Sequence, residues 1–331
     1  MNILVNLPPG FFTHRALAPV FARLDALGDV RQTSHDAADG IAPDLAWAEA
    51  VLMWSWPAWT PEGLAGAPRL RFAGHLDITQ GGARAALARG LPVSVSRGGF
   101  SPAVAEMALA LILSLLRRVS DFHAQMRTGT EAWVGRFPAE IDPRERELTG
   151  RAVGLVGLGQ VGRRLAELLR PFRCDLHVVD PYAPDAVLAE HGGRRAGLDA
   201  MLDACDVVVL CAAANAGTAH LLGAAEIARL RPHAVLVNVA RAALVDTDAL
   251  IERLGRGDLS AALDVFNQEP LPPDSPLRAL PNAYLTPHRA GGLVASARRI
   301  LDWLVDDLEA LEAGRPRRHA LSEAMLPSLD A

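Results

Sequence analysis

Three polar side chains in the second half of the chain have the types that proton transfer and carboxylate binding need. Arg241 and His288 each follow an apolar run, and Glu269 lies in the loop after another. A guanidinium binds a carboxylate through two hydrogen bonds and polarises a neighbouring carbonyl. An imidazole ionises near neutral pH, and a carboxylate on its far nitrogen fixes its tautomer and favours its charged form. The set suits reduction of a 2-keto acid, although each residue alone is also common as a surface charge or loop residue.

A glycine-rich turn in the middle of the chain indicates a dinucleotide site. An apolar run leads into Gly-Leu-Gly-Gln-Val-Gly at residues 157–162, a helical pattern follows, and a second apolar run ends at Asp180. The first glycine permits a tight turn, the second admits a pyrophosphate close to the backbone, and the third lets helix and strand pack. The helix N-terminus offers unpaired N–H groups to the phosphates. The residues predicted to bind the cofactor here are Gly157, Gly159, Gln160, Val161, Gly162 and Asp180.

The residue type at position 180 predicts which dinucleotide is bound. A carboxylate about 20 residues beyond the glycines can accept hydrogen bonds from both ribose hydroxyls of NAD, and it repels the 2′-phosphate of NADP. No arginine directly follows Asp180 to hold such a phosphate. NAD is therefore the predicted cofactor.

The elements that must position these residues predict an α/β protein. Strand-like runs alternate with helical patterns, which favours parallel sheets with helices on both faces and ligands at the carboxyl ends of the strands. Roughly 150 residues with their own alternation precede the glycine turn. We expect two doubly wound, Rossmann-like domains, with the cofactor domain inserted into the smaller substrate domain. The predicted bounds are residues 1–97 and 292–331 for the substrate domain and 98–291 for the NAD-binding domain.

Composition argues against several other classes of protein. The chain has 331 residues, of which 50% are hydrophobic, and a net charge of -5. It can therefore bury two cores, and nothing suggests a nucleic acid partner. Three widely spaced cysteines, Cys174, Cys205 and Cys211, fit neither a disulfide framework nor a metal site. The N-terminus does not resemble a signal peptide, and the apolar stretch Ala103–Leu116 is too short to span a membrane. We expect a cytoplasmic protein without a metal or a membrane.

Four spaced motifs resemble those of the D-isomer-specific 2-hydroxyacid dehydrogenases, which include glycerate, phosphoglycerate and hydroxypyruvate enzymes. The motifs are the glycine turn, Asn-Val-Ala-Arg-Ala-Ala-Leu-Val-Asp at 238–246, Leu-Asp-Val-Phe-Asn-Gln-Glu-Pro-Leu-Pro at 263–272 and Leu-Thr-Pro-His-Arg-Ala-Gly-Gly at 285–292. The match runs in order from about residue 70 to 310, and Val104-Ala105-Glu106 agrees as well. The resemblance implies an NAD-dependent oxidoreductase that interconverts a small 2-keto acid and its D-2-hydroxy acid.

The resemblance also implies roles for single residues. Arg241 would bind the substrate, His288 would be the acid/base and Glu269 would be its partner. Asp264 would contact the nicotinamide carboxamide. The further cofactor contacts would be Thr218 and Val239, and the substrate contacts in the first domain would be Gly74, His75, Leu76 and Arg97.

Departures from the family pattern leave the substrate open. His75 stands where a small residue is usual, in the loop whose amides hold the substrate carboxylate, and Arg97 adds a charge nearby. Together with Arg241 these residues would make a cationic pocket. Such a pocket favours hydroxypyruvate, glyoxylate or a dianionic keto acid over long alkyl 2-keto acids. In the alternative, Arg97 points to solvent and His75 packs within its loop.

Two other classes of protein bind NAD through a similar domain, a cofactor-binding regulator and a hydrolase. A cofactor-binding regulator, as in corepressors that resemble this family, needs no acid/base, so the retained Arg241, Glu269 and His288 favour an enzyme. A hydrolase with bound NAD, such as adenosylhomocysteine hydrolase, is much longer and has other motifs.

The resemblance to the D-isomer-specific 2-hydroxyacid dehydrogenases also implies an assembly, because that family usually forms homodimers through the cofactor domain. The expected contact is the apolar helix Pro102–Arg117 with the region of Trp133, and the alternative is a helix buried within its own subunit.

Overall fold

Two units, each built on its own parallel sheet, divide the chain. One consists of Met1–Phe100 and Gly292–Ala331, and the other of Ser101–Gly291. The sequence predicts domain boundaries after residues 97 and 291. In the structure the chain passes from one unit to the other after residues 100 and 291. The structure, a computed structural model, describes residues 1–54, 59–76, 78–133, 142 and 144–329, with the backbone alone at 97, 327 and 328.

The first unit contains a five-stranded sheet. Its strands are β1 (Asn2–Asn6), β2 (Asp29–Thr33), β3 (Ala50–Met53), β4 (Phe72–His75) and β5 (Val93–Val95). Its helices before the second unit are α1 (Pro9–Phe12), α2 (Ala18–Leu27), α3 (Ala38–Trp47), α4 (Pro61–Ala65) and α5 (Gln80–Ala88). The strand order is β2-β1-β3-β4-β5, and all neighbours are parallel. The apolar β3 and β4 are buried on both faces, as expected for a parallel sheet covered by helices.

The second unit contains a seven-stranded sheet. Its strands are β6 (Ala152–Val156), β7 (Asp175–Val179), β8 (Gly193–Arg195), β9 (Val207–Leu210), β10 (Ala234–Asn238), β11 (Leu259–Leu263) and β12 (Ala283–Leu285). Its helices are α6 (Ser101–Leu116), α7 (Val119–Thr128), α8 (Gln160–Leu169), α9 (Asp185–Glu190), α10 (Leu198–Ala204), α11 (Ala224–Arg229) and α12 (Thr247–Gly255). The all-parallel strand order β12-β11-β10-β9-β6-β7-β8 reverses beside β6. The predicted fold class is confirmed.

Helix α6 is a core helix of the second unit. Residues Gly98–Leu116 are apolar and long enough by composition to cross a membrane, but 56% of the tested stretch is buried inside the protein. The helix packs on α8 and on the strands β10 and β11. The helix therefore contributes to the core of its own unit, and its part in a dimer stays a prediction.

The last helix, α13 (Val294–Glu312), returns to the first unit. Its buried face supplies Ile300, Leu301 and Leu304 to a core that also contains β1 and β3 residues. The following segment, residues 315–321, lies antiparallel beside β5, with Val95 N donating to His319 O (2.8 Å) and Leu321 N donating to Val93 O (2.8 Å). The buried carboxylate of Asp307 accepts hydrogen bonds from the backbone of Arg318 and His319 and holds this segment in place.

Most predicted elements are present, and two strands begin or end at residues other than those predicted. The strand predicted at Leu70–Ala73 is β4 (Phe72–His75), so His75 is the last strand residue and not part of a loop. The strand predicted at Ala261–Val265 is β11 and ends two residues earlier, which leaves Asp264 just beyond it. The edge strands β2 and β8 were not predicted, because their polar residues face solvent and give no apolar run.

Candidate active site

The glycine turn of the second unit has the geometry that a bound dinucleotide requires. Gly157 has φ 93°, and a Cβ there would lie 2.8 Å from the backbone of Ala212. A Cβ at Gly162 would lie 2.3 Å from Gly157 O, so helix α8 approaches the turn closely. Gly159 has open space on its Cβ side and begins α8 without a side-chain cap. The N–H groups at this helix end are therefore available to a phosphate.

Asp180 lies directly beside the glycine turn. Its Oδ2 accepts a hydrogen bond from the N–H of Leu158 (2.7 Å), and its Oδ1 accepts from the N–H groups of Tyr182 and Ala183 (2.8 and 2.9 Å). The carboxylate is half-buried at the end of β7. Its position after β7 and against the turn is where an adenosine ribose would lie in a sheet of this order.

Arg195 is a cation at this end of the sheet that the sequence analysis missed. It lies on the edge strand β8 and donates to the carbonyl oxygens of Asp180 and Ala183 (both 2.5 Å) and to Asp185 (2.7 Å). Its 15-residue distance from Asp180 hid it from a search of the residues that directly follow the acid. Arg195 lies on a polar edge strand, and such a strand has no apolar pattern by which the sequence could have indicated it.

Arg241 lies on a turn held by the strand that precedes it. Asn238, the last residue of β10, donates from Nδ2 to Arg241 O (2.9 Å) and accepts at Oδ1 from Ala240 N (3.1 Å). Asn238 is buried, whereas Arg241 is half-buried. The guanidinium is thus carried at the carboxyl edge of the sheet on a turn fixed by an internal amide side chain.

Glu269 and His288 form a hydrogen-bonded pair. The distance from His288 Nδ1 to Glu269 Oε2 is 2.7 Å, and Glu269 Oε1 accepts from the N–H of Phe266 (3.0 Å). Partial burial raises the pKa of Glu269. The hydrogen bonds from His288 and Phe266 and the positive charge of Arg241 outweigh this effect, so its pKa lies below the ordinary value. Glu269 is therefore a carboxylate at neutral pH, as a partner of an imidazolium should be.

The pair faces a cavity of about 540 Å³ in the second unit. Its walls are mostly apolar, and this raises the strength of electrostatic interactions there relative to water. The lining residues are Phe266, Glu269, Pro270, Leu271, Arg278, Leu285, Thr286, Pro287 and His288.

Asp264 lies just beyond β11 and binds the loop that carries His288. The resemblance implies that it contacts the nicotinamide carboxamide, and its carboxylate is buried. Its Oδ1 accepts from Thr286 Oγ1 (2.5 Å) and Arg289 N (2.9 Å), and its Oδ2 accepts from Ala290 N (2.8 Å). All three donors belong to the loop that carries His288. The carboxylate holds that loop, and its contact with the nicotinamide carboxamide stays a prediction.

The other predicted cofactor residues surround the same strand ends. Gln160 is exposed and Val161 half-buried at the start of α8, and Val239 is buried just after β10. The hydroxyl of Thr218 is used within its own turn, where it donates to Ala213 O (2.8 Å) and accepts from Asn215 N (2.8 Å). Thr218 therefore shapes the turn after β9.

The predicted substrate residues of the first unit lie at the ends of β4 and β5. His75 is buried, and its ring meets the ring of Trp59 edge-on at 5.4 Å. His75 is thus the buried last residue of β4, and its contact with the substrate stays a prediction. A Cβ at Gly74 would lie 3.3 Å from Leu304, and the N–H of Leu76 donates to Met53 O. The side chain of Arg97 lies outside the described residues.

The free cysteines Cys174 and Cys205 have thiols that stay protonated at neutral pH. Burial raises the pKa of the Cys174 thiol to about 11 and that of Cys205 to about 12. A thiol with so high a pKa is neither a good nucleophile nor a ready metal ligand.

A parallel sheet with an open glycine turn, a carboxylate beside it, and an arginine and a histidine–glutamate pair at its strand ends defines a nicotinamide-dependent dehydrogenase. Residues 109–290 match the model of the D-isomer specific 2-hydroxyacid dehydrogenase, NAD binding domain. The chain belongs to this family and is an NAD-dependent D-2-hydroxyacid dehydrogenase.

Individual relatives carry different names. A glyoxylate reductase of Thermofilum pendens is 33% identical over 244 residues, which cover 72% of this chain and 69% of that one. A mitochondrial formate dehydrogenase of Solanum tuberosum is 34% identical over 68% of this chain and 57% of its own. The crystal structure of a phosphoglycerate oxidoreductase from Rhizobium etli has a TM-score of 0.82 at 26% identity, with 98% of each chain covered.

Proposed function

We propose that the protein reduces a small 2-keto acid to the D-2-hydroxy acid with NADH in the cytoplasm, and that Arg241, Glu269 and His288 act on the substrate. The hydrogen bond between His288 Nδ1 and Glu269 Oε2 (2.7 Å) carries this proposal. A carboxylate on one ring nitrogen leaves the other, Nε2, to exchange a proton with the substrate. A protein that only sensed the cofactor would have no use for such a pair.

Each of the three residues has a defined task in this reaction. The guanidinium of Arg241 binds the substrate carboxylate and polarises the keto group. His288 delivers a proton from Nε2 to the keto oxygen as it becomes a hydroxyl, and Glu269 stabilises the imidazolium before the transfer. NADH, when bound, supplies the hydride to the keto carbon. In the direction of oxidation, neutral His288 accepts the hydroxyl proton.

The test is a set of 2-keto acids assayed by the loss of NADH absorbance. Glyoxylate, hydroxypyruvate, pyruvate and phenylpyruvate differ in side-chain size and polarity while sharing the carboxylate and keto group. We expect turnover of at least one of them. Hydroxypyruvate, pyruvate and phenylpyruvate should give the D-hydroxy acid on chiral chromatography, whereas the glycolate formed from glyoxylate is achiral and reports turnover alone. Formation of the L-isomer, or binding of NADH with no turnover of any keto acid, would contradict the proposal.

The charged-pocket hypothesis remains a prediction. It needs cations at His75 and Arg97, and His75 is buried with its ring edge-on to that of Trp59. Binding of the substrate carboxylate by Arg241 is the part of the proposal that does not depend on those two residues. The contacts of Gly74, Leu76 and Arg97 with the substrate remain predictions.

We propose NAD(H) over NADP(H) as the cofactor, on the position of Asp180. Its carboxylate lies 2.7 Å from Leu158 N in the glycine turn, where a 2′-phosphate would meet a fixed negative charge. Arg195 is close, but four of its five N–H donors are used by two carbonyl oxygens and by Asp185.

The substitution Asp180→Asn tests the cofactor preference. It keeps the shape of the side chain and removes its charge, so we expect the ratio of kcat/KM for NADPH over NADH to rise by a factor of about 10 to 10². The matched control is Asp185→Asn, which removes an exposed carboxylate that also binds Arg195 but lies away from the glycine turn. An equal change in both variants would assign the effect to net charge and not to Asp180.

We propose a homodimer that forms through α6 and the region of Trp133, with α7 as part of the contact. Helix α6 is partly buried in its own unit, and α7 exposes apolar side chains at positions i, i+3 and i+7. These residues are Val119 (56% exposed), Phe122 (38%) and Met126 (53%), and Trp133 (81%) follows shortly after the helix. An apolar stripe of this kind marks an interaction surface.

The substitution Met126→Asp tests this surface. A charge in the middle of the stripe should convert a dimer into a monomer in light scattering after gel filtration, because an unpaired carboxylate is costly to bury. Ala124→Asp adds the same charge to the opposite side of α7 and should leave the dimer intact. A wild-type protein that is monomeric at 50-fold dilution and at high concentration alike would refute the proposed dimer.

A further inference from the structure

We infer that the second unit has a further binding site, which takes a small organic cation with an apolar body, such as an alkylammonium ion. The site is a cavity of about 330 Å³ lined by the start of α12, by the turn after Arg241 and by residues from the segment 265–277. We call it the α12 cavity, and we call the one that contains Glu269 and His288 the catalytic cavity. The α12 cavity has no part in the reaction proposed above.

The lining of the α12 cavity is mainly apolar. It includes the buried side chains of Leu250 on α12, Leu263 on β11 and Leu277. Cavities that bind small molecules have volumes of about 300–1,000 Å³ and a mostly apolar lining with a few polar groups. The volume and the lining therefore suit a compact molecule of several carbon atoms, whose removal from water supplies most of the affinity.

The charges on the lining determine which kind of molecule is preferred. Among the described residues that line the cavity, the charged ones are Asp248, in the first turn of α12, and Asp274, and both are exposed. Within the part of the chain that the structure describes, neither carboxylate forms an ion pair or a side-chain hydrogen bond. Two such carboxylates attract a cation and repel an anion. Gln268 and Ser275 in the same lining offer oxygen atoms to further N–H donors of an ammonium group.

Charge also distinguishes the α12 cavity from the catalytic cavity. The catalytic cavity contains Arg278 and His288, and Arg241 acts electrostatically on its Glu269. A keto acid is an anion, so it is favoured beside these cations and disfavoured between the two aspartates of the α12 cavity. An organic cation has the opposite preference. The two cavities can therefore hold different ligands at the same time.

The two cavities share part of their lining, which couples the inferred site to catalysis. Phe266 and Leu271 line both, and the N–H of Phe266 donates to Glu269 Oε1 (3.0 Å). Asn238 also lines the α12 cavity, and its Nδ2 donates to Arg241 O (2.9 Å). A ligand that binds the cavity in this form stabilises the conformation in which Phe266 holds Glu269. We therefore expect it to raise kcat, and this expectation alone rests on the proposed function.

The first test is binding of three six-carbon probes to the full chain. The probes are n-hexylammonium, 1-hexanol and hexanoate, followed by ligand-observed NMR at about 0.15 M salt. We expect a Kd for hexylammonium of about 1 mM or lower, because six carbon atoms leave the water. The Kd for hexanol should be about two- to fivefold higher, the usual effect of an exposed charge pair, and hexanoate should not bind. No binding of hexylammonium, or equally tight binding of hexanoate, would overturn the inference.

The second test removes the two negative charges one at a time. Asp248→Asn and Asp274→Asn should each raise the Kd for hexylammonium by about two- to fivefold and leave that for hexanol unchanged. Glu252→Gln is the matched control, because it removes the same charge from an exposed residue of α12 that does not line the cavity. An equal effect in Glu252→Gln would assign the preference to net charge and contradict a site between the aspartates.

The third test fills the cavity. Ile251 is a half-buried residue of α12 in its lining, and Ile251→Trp places a larger side chain there. This variant should bind neither hexylammonium nor hexanol. Unchanged binding would locate the probes elsewhere on the protein and overturn the inference. Circular dichroism melting identifies a variant that fails to fold, and the two aspartate variants then decide.

The last test measures coupling to the catalytic cavity. Hexylammonium at constant ionic strength should raise kcat for keto acid reduction and leave the KM for the keto acid unchanged. A KM that rises with the hexylammonium concentration would show competition in the catalytic cavity and would count against a separate site. An unchanged kcat would exclude coupling through Phe266. The binding tests need no turnover, so they decide on the site even if no keto acid proves to be a substrate.

Discussion

The variant His288→Ala should reduce 2-keto acids with a kcat lower than that of the wild type by a factor of about 10² to 10⁴. This is the usual effect of removing a positioned acid/base, because the keto oxygen must then take its proton from water. The Kd for NADH should change little, since no described contact links His288 to the glycine turn. Stopped-flow reduction under single-turnover conditions measures the chemical step directly. Near-wild-type turnover in His288→Ala would show that another group moves the proton.

The partner of His288 gives the same prediction a pH dependence. The pKa of Glu269 lies below its ordinary value, so the carboxylate stays charged through the neutral range and loses its charge only on the acid side. In Glu269→Gln the imidazolium has no counter-charge, and its protonated form is less stable. Reduction requires that form, so the alkaline limb of the kcat/KM profile should move to lower pH. A profile that keeps its position would remove Glu269 from the proton relay.

The variant Arg241→Ala should lower kcat/KM for keto acids by a factor of about 10² to 10⁴. Each hydrogen bond to a charged group contributes about 1.5–3 kcal/mol, and a bidentate guanidinium–carboxylate contact loses two of them. Arg241→Lys should recover only part of this loss, because an ammonium cannot reproduce the planar pair of donors.

Chemical rescue provides a matched control for both catalytic variants. Guanidinium ion added to Arg241→Ala should restore part of the turnover, and imidazole added to His288→Ala should do the same. The exchanged pairs, imidazole with Arg241→Ala and guanidinium with His288→Ala, should give no recovery. Recovery in an exchanged pair would show that the two variants are damaged in the same, non-specific way.

The sequence predicted the parts of the site whose positions follow from strand ends. Arg241, Glu269 and His288 each follow an apolar run, and the carboxyl ends of parallel strands meet at one edge of a sheet. The glycine turn was predictable for the same reason, since strand, turn and helix are consecutive in the chain. Asp180 was predictable because it ends the very next strand.

Other features depend on contacts that no local pattern records. Arg195 reaches Asp180 only because β8 pairs with β7, and β8 is a polar edge strand. The three hydrogen bonds from Asp264 to the His288 loop depend on how β11 and β12 align. The burial of His75 follows from its place as the last residue of β4. The strand ends two residues later than the predicted end at Ala73, so His75 lies in the sheet and not in the loop after it.

The order in which a ribosome makes this chain differs from the order in which its two units can be completed. The continuous unit Ser101–Gly291 has all its strands once residue 291 has been made. The sheet begun by Met1–Phe100 still lacks α13, which supplies Ile300, Leu301 and Leu304 to its core, and the 315–321 segment that lies beside β5. A released chain that lacks part of this last stretch therefore has a complete nucleotide-binding unit tethered to a sheet whose α13 face is uncovered. Such a product exposes the kind of surface that chaperones and proteases recognise.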